Sequence, residues 1–64
     1  MGKIIYENVV AYAEKRGLSL RQVEIRAGLG NGTISKWRVS EPSVKSVKAV
    51  AAVLNVAVST LLKE

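Results

Sequence analysis

Sixty-four residues, a formal net charge of +5 and no Cys, His or Asp bound the chemistry before any motif is read. One small domain spanning 1–64 must hide its apolar surface in a single shared core, without a disulfide frame, a thiolate metal site or an imidazole base. The only carboxylates are Glu7, Glu14, Glu24, Glu41 and Glu64, so no enzyme, no cofactor and no small-molecule substrate is expected. Neither a run of about eighteen apolar residues nor the form of a secretory signal is present in the sequence, and the lack of Cys fits a reducing cytoplasm, the expected location.

Five helices are predicted. The first covers roughly Ile4 to Lys15, with Ile5, Val9, Tyr12 and Ala13 on one face at helical spacing. Gly17 ends it, and Lys15 and Arg16 fall in the last turn, where positive charge suits the helix dipole. Glu7 and Glu14 are about 10 Å apart along the axis and read as surface charges. The second helix runs from Leu20 to Ala27, capped by Ser19, with Leu20, Val23 and Ala27 as its apolar stripe. Ala27-Gly28-Leu29-Gly30 makes a turn anchored by Leu29.

The third helix is expected over about Asn31 to Arg38, with Gly30 at its cap position. Ile34 and Trp37, three apart, turn inward, while Asn31, Gly32, Ser35 and Lys36 face out. Trp37 is assigned to the core rather than to base stacking, and Tyr6 and Tyr12 to packing. Ser40-Glu41-Pro42 is a loop, since Pro42 cannot sit inside a helix. Ser43 then caps a fourth helix, Val44 to Leu54, with Val44, Val47, Ala51 and Leu54 inward. Its valines favour a strand over 44–50, but apolar residues at i, i+3 and i+4 over eleven positions favour the helix. Asn55 stops it, and Val58 to Leu62 forms a last short helix packing Val58, Leu61 and Leu62.

Charge is unevenly placed. Lys15, Arg16, Arg21, Arg26, Lys36, Arg38, Lys45 and Lys48 lie between positions 15 and 48, against only Glu24 and Glu41. That field suits a polyanion. Two short helices joined by a Gly turn in such a chain follow the plan of a DNA-reading helix-turn-helix.

Four segments extend this into a family likeness: Lys15-Arg16-Gly17-Leu18-Ser19-Leu20, Asn31-Gly32-Thr33-Ile34-Ser35-Lys36-Trp37, Glu41-Pro42-Ser43-Val44, and Asn55-Val56 with Leu61-Leu62. In order and spacing the chain resembles the Cro/C1-type (XRE-like) helix-turn-helix regulators of bacteria and their phages, across residues 5–62. The resemblance implies an all-α, compact five-helix bundle of the lambda-repressor-like type, with the third helix in the major groove. It implies base contacts from Asn31, Gly32, Ser35 and Lys36, and phosphate contacts near the starts of the second and fourth helices. Three departures stand out. Leu20 occupies a place where many members have a phosphate-bracing Gln, leaving Arg21 or Gln22 to substitute. Ala57 cannot cap the last helix, which is then expected to fray. Gly32 stands where members often carry a base-reading side chain, so one contact is missing or made by backbone.

The side-chain chemistry is consistent with those roles. Lys36 can reach guanine O6 and N7, and the Asn31 amide can pair with adenine N6 and N7 or cap its helix. Thr33 and Ser35 suit a phosphate or a thymine methyl. Arg21, Arg38, Lys45 and Lys48 are phosphate candidates. Apolar residues left over at the C-terminal end, Val58, Leu61 and Leu62, suggest a weak homodimer that reads a pseudo-palindromic operator. The expected function is a phage-type repressor acting by operator occupancy. The rivals are an antitoxin or host regulator that also binds a partner protein, and a helix-turn-helix used only for protein interaction.

Overall fold

The computed structural model describes residues 2–64, and all regular structure among them is helical. Four α-helices occur, α1 (Gly2–Lys15), α2 (Leu20–Ala27), α3 (Val44–Leu54) and α4 (Val58–Leu61), with one turn of 3-10 helix, Ser35–Arg38, between α2 and α3. The predicted third helix is thus corrected. Residues 31–34 form a turn, and only 35–38 coil. Gly32 has φ +83°, which no right-handed helix contains, and Asn31-Gly32 has low helix propensity.

α1, α2 and α3 end by one device. Gly17, Gly28 and Asn55 take left-handed φ values of 70°, 74° and 57°. In each case the next residue's N–H reaches five residues back: Leu18 to Ala13 O (2.9 Å), Leu29 to Glu24 O (2.8 Å), Val56 to Ala51 O (3.0 Å). This is the Schellman ending, whose apolar residue after the left-handed position folds back on the helix. Leu18, Leu29 and Val56 are half-buried against the core. The stops read from Gly17 and Asn55, and the turn read at Gly28, therefore also aim the chain inward at each corner.

The starts of α2 and α3 are capped by Ser. Ser19 Oγ accepts from the Gln22 N–H (3.1 Å), and Gln22 Oε1 accepts from the Ser19 N–H (2.9 Å). This closes a capping box. Ser43 Oγ accepts from the Ser46 N–H (3.2 Å) at the start of α3. Ala57 gives α4 no side-chain cap. The far end is held instead from α1: Asn8 Nδ2 donates to Leu61 O (2.8 Å) and Lys63 O (2.7 Å).

One core joins all five segments. α1 contributes Ile5, Val9 and Ala13, α2 contributes Val23, the 3-10 region Ile34 and Trp37, and α4 Leu61. On α3 the buried set is Val47, Val50, Ala51 and Leu54, while Val44 is 69% exposed. Val44 was expected inward. The inward face turns one step instead, because Val47, Val50, Ala51 and Leu54 already form a complete i, i+3, i+4, i+7 stripe. The radius of gyration is 10.0 Å, against about 11 Å expected for this length. Trp37 and Ile34 are therefore fixed from inside, and the segment around them is displayed on the outside.

Candidate nucleic-acid interface

The segment that follows α2 is built from backbone geometry more than from packing. The Thr33 N–H donates to Gly30 O (3.2 Å), and the positive φ falls on Gly32, the third residue of that turn. These are the marks of a type II β-turn, which requires a left-handed third residue. Thr33 Oγ1 also donates to Gly30 O (2.8 Å). The Lys36 N–H then reaches Gly32 O (3.2 Å), and the Trp37 N–H reaches Ile34 O (2.9 Å), which starts the 3-10 turn.

This arrangement presents Asn31, Ser35 and Lys36 to solvent within six residues, over buried Ile34 and Trp37. Gly32 is half-buried and lies at the bend, so it offers backbone only. Arg38 is exposed just after Trp37, its guanidinium 6.0 Å from the Tyr6 ring centre. Lys45 and Lys48 are exposed on α3. Gln22 and Thr33, read as phosphate candidates, have fold duties: Gln22 Oε1 serves the capping box and the Thr33 hydroxyl proton the turn.

A residue to which the sequence reading gave no role organises the segment. Glu24 is 2% exposed. Its Oε2 accepts from the Ile34 N–H (3.0 Å), and its Oε1 accepts from the Gly32 N–H (3.2 Å). Arg21 Nη1 lies 3.5 Å from the same Oε1. A buried carboxylate costs several kcal/mol unless it is paired and hydrogen-bonded; here three donors surround it. The signal was legible, since Glu24 lies four residues after Leu20 and three before Ala27, inside the inward stripe. Arg21 is correspondingly tied to Glu24 rather than free.

α1 closes the opposite side of the segment. A Cβ on Gly2 would lie 2.4 Å from Ser40 O and 2.8 Å from Trp37 O, so only glycine lets the helix approach this closely. The Gly2 N–H donates to Glu41 Oε1 (3.0 Å). That bond is the main cause holding the Glu41 carboxyl below its ordinary value of 4.5.

Leu61 was expected at an interface between copies. It is fully buried in the core of its own chain, because α4 is a single turn and presents one side to α1 and α3. Val58 is half-buried and Leu62 is 37% exposed. Among the described residues no group of three or more His, Cys, Asp or Glu could hold a metal ion, and no helix is long and apolar enough to cross a membrane.

Compared with protein-family models and with curated proteins, the chain matches none.

Proposed function

We propose that this chain is a sequence-specific duplex-DNA-binding regulator of the Cro/C1 type, with α2 and the segment 31–38 acting as its helix-turn-helix. The observation that carries the reading is the display of Asn31, Ser35 and Lys36 on a short segment anchored from within by Ile34 and Trp37. Small polar side chains let a backbone come close to base edges, and a long cation reaches the guanine O6/N7 edge. Lys36 and Asn31 read bases, Ser35 lies against them, and Gly32 permits close approach. Arg38, Lys45 and Lys48 hold phosphates and set the register, with Arg21 adding charge beside the turn. Occupying an operator that overlaps a promoter would repress it.

Binding measured against salt on mixed-sequence duplexes tests this. With about four to six phosphates neutralised, log K should fall with log salt at a slope near −4 to −5. Lys36→Ala should cost about 1–3 kcal/mol on a selected site and relax one base preference, whereas Arg38→Ala should weaken all sequences alike. A flat salt response would overturn the reading.

The homodimer belongs to the same proposal, with its surface revised. An apolar groove of about 220 Å³ is lined by Ile5, Pro42, Val44, Val47, Val58 and Leu62, with Glu41 its one charged residue. It has no cation to offer a phosphate, so a second copy, not DNA, is its proposed occupant. Two copies would set their reading segments about 34 Å apart, one turn of duplex. Sedimentation of Leu62→Glu and Val44→Glu, with stoichiometry on a full operator, checks it; one chain per operator would remove the dimer.

A further inference from the structure

The reading segment is attached at two points of different kind. At its 3-10 end, Ile34 and Trp37 are buried in the core. At its turn end, Gly30 to Thr33, no side chain is buried, and Glu24 grips the backbone at Gly32 within the turn and at Ile34 where the turn meets the 3-10 end. The Ile34 N–H to Oε2 bond (3.0 Å) and the Gly32 N–H to Oε1 bond (3.2 Å) are the only bonds those two amides make among the described residues. In an α-helix the first amides lack intrahelical partners and are met by a cap from the preceding residues. Here the cap comes from α2, eight and ten residues earlier in the chain.

We infer that Glu24 is the positioning residue of the reading segment: its carboxylate fixes the turn end, and so fixes where Asn31, Ser35 and Lys36 point. This rests on the DNA-reading proposal for its consequence, but not for its geometry. Two attachment points define an orientation. With the apolar one alone, the segment stays docked yet swings about Ile34 and Trp37. Phosphate contacts from Lys45 and Lys48 on α3 tolerate that motion. Bidentate base contacts do not, because they demand fixed donor directions. Losing Glu24's grip therefore removes sequence preference ahead of general affinity.

Glu24→Gln is the sharpest variant. It keeps the shape and one acceptor oxygen, but turns an NH₂ group toward one of the two amides. Amide hydrogen exchange in the free protein reads the geometry without DNA. Protection of Gly32 and Ile34 should fall by about tenfold or more, while Val9 and Val50 in the core hold theirs. Arg21→Gln, which leaves both amide bonds in place, should leave Gly32 and Ile34 near wild type. On duplex DNA, E24Q should lose about tenfold in the ratio of selected to scrambled site, with the salt slope unchanged. Should E24Q not fold, Glu24→Asp, charged but one methylene short, is read the same way. Uniform loss of protection across core amides would make Glu24 a stability residue and overturn the inference. So would unchanged Gly32 and Ile34 amides, equal loosening in R21Q, or local loosening with preference retained. If the wild-type protein prefers no duplex over another, the DNA reading falls, and the amide experiment by itself still decides whether Glu24 positions the segment.

Discussion

The bundle of α1, α3 and α4 and the segment from Gly28 to Val39 are held by different forces. In the bundle, Val9, Val50, Leu54 and Leu61 are wholly buried, and apolar packing holds it together, with the Asn8 bonds securing the end of α4. In the segment only Ile34 and Trp37 are buried, and the rest rests on a type II turn, a left-handed Gly32 and a carboxylate from α2. Apolar burial is non-directional and roughly proportional to area, whereas hydrogen bonds and backbone dihedrals fix direction. The bundle can therefore exchange one hydrophobe for another of similar volume at modest cost. The segment must keep particular atoms in place, which is what the proposed reading role would demand of it.

The largest effect is expected where the two regions meet. Trp37 is the larger of the segment's two buried anchors, and Trp37→Ala should cost about 3–5 kcal/mol. Total stability at this size is about 3–10 kcal/mol, so thermal melting should show a largely unfolded protein. A folded mutant with normal melting would place the ring outside the core. Within the bundle, Leu61→Ala should cost about 2–5 kcal/mol, while Leu62→Ala, one residue on and partly exposed, should stay within about 1 kcal/mol. Equal melting of the two would contradict the placement of α4.

Two glycines two residues apart sharpen the contrast further. Gly32→Ala puts a Cβ on a left-handed backbone and should cost about 1–2 kcal/mol. Gly30 has no positive φ, and a Cβ there would meet Thr33 Oγ1 at an ordinary 3.6 Å. Gly30→Ala should therefore be neutral or stabilise by about 0.4–1 kcal/mol, by restricting the unfolded chain. Denaturant midpoints that move the same way would remove the turn assignment.

The smallest effect belongs to the join between α1 and the loop leaving the segment. The Gly2 N–H bond favours the ionised Glu41 carboxyl, so the folded state holds its proton less tightly than the unfolded chain does. The contribution to stability is then complete above the ordinary 4.5 and is lost as pH falls through the lower folded value. Carboxyl NMR should give a Glu41 midpoint below 4.5, and Glu41→Gln should flatten the acid-side fall in melting temperature. A midpoint at or above the ordinary value would mean that this bond does not hold in solution.

The sequence by itself determined the helices that carry strong local signals. α2 and α3 have the predicted bounds, because Ser19 and Ser43 start them and Gly28 and Asn55 stop them, all through atoms within a few residues. The pairing of Ile34 with Trp37 as anchors was equally legible, since a spacing of three puts both on one side of either helix type. Tertiary structure decided what depends on distant partners. Whether residues 31–38 coil as α-helix turned on Gly32, whose left-handed φ is held by a turn and by Glu24 from another element. Val44 and Val50 exchanged places because a helix face is chosen by what it packs against. Leu61 went to the core because the single turn of α4 lies against α1 and α3, where Asn8, fifty-three residues earlier, also clasps the carbonyls of Leu61 and Lys63. Glu24 itself was readable as a charge within an apolar stripe, but its two amide partners lie eight and ten residues downstream, and only the folded turn brings them within reach.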